Sequence, residues 1–219
     1  MPPIKKRSLT RDKIINQAIK LADQKGLDEL SMRKLASALN VKAMSLYNHI
    51  DHRADLISAM TNELFRAIHW DDSLEWKKAM RDRATATKKI YNHHPWMVAV
   101  ANANQNPGPD ILASHERVLK CLVHAGFGLR LAAHALSILD AYTAGFFITE
   151  QSLPTDTDLE LQELAQAILS SIPTQKYPYL HQLTKQHILS PDYSYSKEFM
   201  FGLDLILDQL ETLLSEYMI

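Results

Sequence analysis

A chain of 219 residues is long enough to bury one substantial core, or a small domain leaning on a larger one. Its single cysteine, Cys121, excludes an internal disulfide framework and points to a reducing compartment, the cytosol, with the thiol acting as a small buried hydrophobe. The formal charge of −1 hides a division: residues 1–53 hold eleven Lys and Arg against five acids, about +6, and the remainder holds 13 bases against 20 acids, about −7. The basic end is suited to a polyanion; a plain solvated surface is the competing reading of charge alone.

The opening "MPPIKKRSLTRDK" is basic but lacks the apolar run of a secretory signal. No stretch is expected to reach the length that spans a bilayer. Even "LAAHALSILDAYTAGFFI" carries His134 and Asp140, which favours a buried core helix and a soluble protein with no membrane partner.

In chain order, Thr10 can cap a helix whose apolar stripe is Ile14, Ile15, Ala18, Ile19, Leu21 and Ala22, with Gly26 at its left-handed end. Ser31 starts a second helix carrying Leu35, Ala36 and Leu39. Asn40 tolerates the positive φ of a tight turn, and a third short helix is expected from about Lys42 to Ile50. Further helices are read over Arg53–Ile68, Ser73–His93, Pro95–Asn102, a segment with Pro109 near its first turn and Gly126 after its last, Leu129–Gln151, Thr155–Ser171 and Tyr195–Tyr217. "PTQKYPYLHQL" reads as mostly loop, and there is neither a useful strand pattern nor an internal repeat. The fold class is all-α.

The two short helices can bury Leu35, Leu39, Val41, Leu46 and Ile50 only by crossing steeply against the first, which leaves the second of the pair projecting. A projecting helix fits the major groove of B-DNA. Its outward positions, Lys42, Ala43, Met44, Ser45, Tyr47 and Asn48, offer methyl, thioether, hydroxyl and amide groups to base edges and phosphates. Arg33, His49 and Arg53 can flank the groove. On these residues alone, a plain helical corner with Tyr47 as a half-buried aromatic stays open.

"LDELSMRKLASALNVKAMSLYNHIDHRADLISAM", Leu27–Met60, resembles the DNA-binding domain of the tetracycline-repressor (TetR) family of bacterial regulators, including the "LY-x-H" core of the recognition helix. The resemblance covers about residues 9–60. More loosely, "EWKKAM", "HAGF", "AAHALSILDAYTAGF" and "FMFGLDLILDQLE" follow the order of the branch that contains the tetracycline repressor itself. The resemblance implies a head over residues 1–53 and a larger helical effector and dimerisation domain over 54–219. It puts Arg33 at a base-contacting position, makes Ala43, Met44, Ser45 and Asn48 the groove readers, and puts Tyr47, His49 and Arg53 where the family meets phosphates or adjacent bases. The branch carries Gln, Pro and Trp at Ala43, Met44 and Asn48, so the operator is expected to differ. Asn40, where glycine is usual, leaves the turn intact.

Such a regulator needs a second site whose occupancy biases the heads. Met80, Thr87, Tyr91, Trp96, Met97, Val100, Asn104, His115, Leu119, Tyr142 and Phe146 could line a largely apolar cavity with a few polar anchors, although any one of them could be ordinary core. His93 and His94 are adjacent, so their side chains leave a helix about 100° apart and suit one ion poorly. The branch's metal-coordinating histidine falls near Ala101, which argues against a magnesium–tetracycline ligand. No metal and no cofactor are expected. Two helices look too apolar to stay uncovered. Ala132, Leu136 and Leu139 on one, with Phe199, Leu203, Ile206, Leu210 and Leu213 on the other, would form a four-helix dimer interface, with Gly202 and Ala132 at close crossings.

The expected function is a homodimeric repressor that binds double-stranded operator DNA and is released by a small, largely apolar effector. The alternative is a ligand-binding helical dimer that acts as an activator or has no DNA function. No Glu-x-x-His pair, His-Glu-x-x-His motif or glycine-rich phosphate loop points to an enzyme.

Overall fold

The computed structural model describes residues 9–101, 107–155 and 157–217, and among these every regular element is helical. Helix α1 spans Arg11–Lys25 because Thr10 Oγ1 accepts from the Lys13 amide at 3.3 Å, and its apolar stripe is buried from Ile14 to Ala22. Gly26 ends it with φ +81° and ψ 159°, an extended mirror conformation open in practice to glycine alone, in place of the expected left-handed helical one. Ser31 caps α2, Met32–Ala38, through its hydroxyl and the Lys34 amide at 3.2 Å. Asn40 turns the chain with φ +55°.

Helix α3 is Ala43–Tyr47, shorter than the expected Lys42–Ile50. The Leu46 carbonyl accepts from both His49 and Ile50, at 2.9 and 3.0 Å, which closes the last turn early. His52 then caps α4, Arg53–Arg66, accepting from the Asp55 amide at 3.0 Å. The next helix starts late: Ser73 is held in a turn by Asp71 Oδ1, and Glu75 caps α5, Trp76–His93. Helices α6, Met97–Ala101, and α7, Pro109–His124, follow, with Pro109 in the first turn of α7 and Gly126 at φ +100° beyond its end.

Helix α8 runs unbroken over Leu129–Gln151. Its length and composition are sufficient to cross a membrane, which corrects the expectation that no stretch comes near that length. His134 and Asp140 interrupt the apolar run without ending the helix. Helix α9, Asp158–Leu169, starts with a capping box between Thr157 and Glu160. The expected loop after it is instead helix α10, Pro178–Leu183, continued by a π-helical turn over Thr184–Ile188. Pro178 is the physical reason: at the first helical position it costs no hydrogen bond and its φ is already set. Helix α11, Tyr195–Tyr217, closes the described chain.

By packing, the chain divides into the units Met1–Ser137 and Ile138–Ile219. In the first, α1 packs on α2 and α4, α2 on α3, α4 on α6 and α7, and α5 on α7. Helix α4, which begins at the boundary expected after residue 53, packs on α1 on one side of it and on α6 and α7 on the other. Ile14, Leu35, Leu46, Ile50, Leu56 and Met60 are wholly buried. In the second unit Tyr142 stacks on Phe199 with ring centroids 5.6 Å apart, and its hydroxyl donates to the Phe199 carbonyl at 2.9 Å. A Cβ on Gly202 would lie 2.9 Å from Tyr142 Cζ, so this glycine makes room for a ring of its own protomer.

Candidate nucleic-acid interface

Helix α3 is a one-and-a-half-turn element that could not hold its shape alone. Leu46 and Ile50, both wholly buried, hold it down, each contributing about 1.5–3 kcal/mol of burial. With that face committed, the opposite face must project. Met44 is 74% exposed and Tyr47 44%, Lys42 and Asn48 are exposed, and Ala43, Ser45 and His49 are half-buried beside them. Arg33, in the first turn of α2, is exposed as well. A groove beside the α2–α3 turn is edged by Lys13, Asn16, Gln17 and Lys20 of α1 with Leu39 and Val41, so the cationic character extends past α3. Lys34 pairs with Glu29, whose carboxyl it holds below the usual range by hydrogen bond and charge.

Arg53, expected beside the groove, is exposed and also has partners within the fold. Its guanidinium donates through Nε to the Leu30 carbonyl at 3.0 Å and through its terminal nitrogen to the Leu27 carbonyl at 2.7 Å. The side chain braces the start of α4 against the loop between α1 and α2. A sequence shows that an arginine is near a groove; it does not show the carbonyls that fold beneath it.

The expected effector residues divide between the two units. In the first, Met80, Thr87, Tyr91, Trp96 and Met97 are buried, and Val100, His115 and Leu119 are half-buried. Asn104 lies outside the described residues. The Thr87 hydroxyl is buried with no hydrogen-bond partner. It shares a face of α5 with the buried Arg83 and Lys88, two cations absent from the expected set. Spacing alone could have included them: they fall three and four residues from neighbours already on that face. Trp96 donates from Nε1 to Asp23 Oδ1 at 2.8 Å, and His94 Nδ1 lies 2.8 Å from the same oxygen. That carboxylate ties α1 to the corner before α6. His93 bonds instead to the Lys89 carbonyl, so the two histidines serve different partners. Cys121 is half-buried, and burial raises its thiol pKa. In the second unit Tyr142 and Phe146 are half-buried and belong to an aromatic cluster with Tyr195 and Phe199. Burial raises the Tyr142 hydroxyl pKa, with Glu198 adding to it.

The expected interface stripe faces inward in large part. Ala132, Leu139, Phe199, Leu203 and Leu210 are buried within the protomer, and Leu136, Gly202, Ile206 and Leu213 are half-buried. Exposed on the same two helices are Ile138, Ala141, Gly145 and Ile148 along α8, and Phe201 and Leu205 on α11. A helix that is apolar most of the way round does not reveal from sequence which side its own core takes.

Residues 14–60 match the family model for bacterial regulatory proteins of the tetR family. Residues 71–214 match that for the tetracyclin repressor-like C-terminal domain. The chain is 28% identical, over 96% of its length and 80% of the relative's, to the HTH-type transcriptional repressor DrrR1 of Streptomyces coeruleorubidus. It is 29% identical to the class E tetracycline repressor protein of Escherichia coli, over 65% of this chain and 70% of that one. Crystalline apo ActR from Streptomyces coelicolor shares the fold at a TM-score of 0.80, with 23% identity over 95% of this chain and 98% of its own. ActR is also known in complex with actinorhodin.

Proposed function

The chain belongs to the TetR family of bacterial transcriptional regulators, and from that premise we propose that it is a homodimeric repressor whose two α3 helices read operator DNA until a small-molecule effector releases it. The observation that carries the reading is the outward face of α3: Met44 and Tyr47 project from a helix whose other face is pinned by Leu46 and Ile50. Arg33, Lys42, Ala43, Ser45, Asn48 and His49 surround them, at positions suited to base edges and phosphates. One helix this short reads few bases. A two-fold pair reads two half-sites about 34 Å apart, which gives the dimer its purpose.

The dimer face that the exposure pattern favours is Ile138, Ala141, Gly145 and Ile148 with Phe201 and Leu205. A Cβ on Gly145 would meet nothing within 4 Å, and the glycine leaves room for a helix of a second copy. Residues 1–53 act as the DNA-reading head, and the effector sits among the helices that follow. The unpartnered Thr87 hydroxyl is a polar anchor for it amid apolar Met80 and Tyr91. ActR, with the same fold, holds actinorhodin, which supports a small-molecule effector here. Regulators of this family are in general not enzymes, and a catalytic role is not proposed. The working compartment is the bacterial cytoplasm.

The test is a binding selection of the purified protein against genomic fragments, then a salt titration on the best site with wild type and Tyr47→Ala. A near-palindromic site, bound with a steep salt dependence and lost in the variant, supports the reading. No selective binding, with wild type and variant alike at every salt concentration, refutes it.

A further inference from the structure

Helix α7 begins without a cap of its own. Gly108 occupies the N-cap position and offers no side chain, while the first N–H groups of any helix have no acceptor within it. The acceptor comes from α4. Asn62 Oδ1 accepts from the amides of Asp110 at 2.9 Å and Ile111 at 3.3 Å, and its amide nitrogen donates to the Asp110 carboxylate. A Cβ at position 108 would lie 2.7 Å from Asn62 Cγ, so the glycine leaves the space that the asparagine fills. Farther along the same seam Phe65 meets His115 edge to face, with ring centroids 6.2 Å apart. Beyond the end of α4, Arg117 of α7 donates to Asp72 at 2.7 Å and lies over the Trp70 ring at 4.3 Å.

Helix α4 starts directly after the DNA-reading pair and packs on α1 and α7, while α7 carries His115 and Leu119, both half-buried and both in the proposed effector set. We propose that Asn62 is the positioning residue that couples the two functions: by capping α7 from α4, it makes the first turn of α7 and the axis of α4 move together. A rearrangement of α7 then displaces α4 and the head. Coupling between sites is reciprocal, so operator binding must also be felt at the first turn of α7. The inference rests on the effector-regulated reading above, and the reciprocity allows it to be tested without knowing the effector.

The probe is the operator duplex recovered from the genomic selection, and the readout is hydrogen exchange of the full-length dimer with and without that duplex. In wild type the operator slows exchange both at α3 and at residues 110–113. In Asn62→Ala the unliganded first turn of α7 exchanges about fivefold faster, the loss of an ordinary cap. There the operator still protects α3 but no longer protects α7. Gly108→Ala, which displaces the asparagine from the other side, gives the same pattern. The double variant Asn62→Ala with Gly108→Ser separates capping from coupling, because serine at the N-cap restores the cap from within α7. Its unliganded exchange returns to the wild-type rate, while the operator effect on α7 stays absent. Wild-type protection that stops at α3, or a double variant that transmits protection to α7 as wild type does, overturns the proposal while leaving operator binding intact. A wild-type protein that selects no operator brings down the regulator reading and this proposal with it.

Discussion

Replacing Arg53 with methionine separates two roles that predict opposite results. As a phosphate contact, Arg53 would add to operator affinity and nothing to stability. In the structure its guanidinium donates to the carbonyls of Leu30 and Leu27, at 3.0 and 2.7 Å, across 23 and 26 residues of chain. A hydrogen bond involving a charged group contributes about 1.5–3 kcal/mol when buried. The Arg53 side chain is largely exposed, so water competes for both acceptors and the pair together contributes about 2 kcal/mol. Methionine keeps the apolar stem and removes every donor. For a chain of this size each kcal/mol moves the melting temperature by about 2–4 °C, so Arg53→Met melts about 4–8 °C lower. Thermal unfolding by circular dichroism reads that shift, and a salt titration of operator binding reads the other role. The expected slope of log affinity against log salt equals that of wild type. A melting temperature within about 1 °C of wild type, with a slope lower by about one, refutes the bracing role and returns Arg53 to the phosphates.

Phe201→Glu places a charge on the exposed face of α11 and is expected to give folded monomers in sedimentation. Leu203→Ala, two residues away but wholly buried, is expected to remain dimeric and to lose about 2–5 kcal/mol of stability; a dimeric Phe201→Glu protein contradicts the assigned face. The hydrogen bond from Arg117 holds the Asp72 carboxyl below its ordinary value of 3.8. A depressed carboxylate pKa contributes stability above the unfolded value and loses it as the pH falls through the folded one. Asp72→Asn is therefore less stable than wild type at pH 7 by under about 1 kcal/mol, as befits an exposed pair, and the difference closes as the pH drops below the unfolded value. Denaturant titrations at several pH values check it, and a gap that persists at low pH contradicts the ion pair as its source.

Local chemistry determined much of this protein. Thr10, Ser31, Asn40 and Pro109 stand where the sequence puts them, because a cap, a positive φ or a first-turn proline depends on a few neighbouring residues. The outward face of α3 was legible for the same kind of reason. Leu46 and Ile50 sit one turn apart, and burying both leaves Met44 and Tyr47 outside. The apolar helices were legible as helices, and their long uninterrupted patterns placed the ends of α8 and α11. Which face of each turned inward was decided only in three dimensions. Leu203 and Phe201 are equally apolar, and the ring of Tyr142 stacked on Phe199 helps settle which side of α11 is core. Arg53, Asn62 and Asp23 were beyond sequence reading because their partners lie 23 to 73 residues away. A charged or amide side chain satisfies any acceptor or donor it meets, so its role is set by what the tertiary fold brings to it.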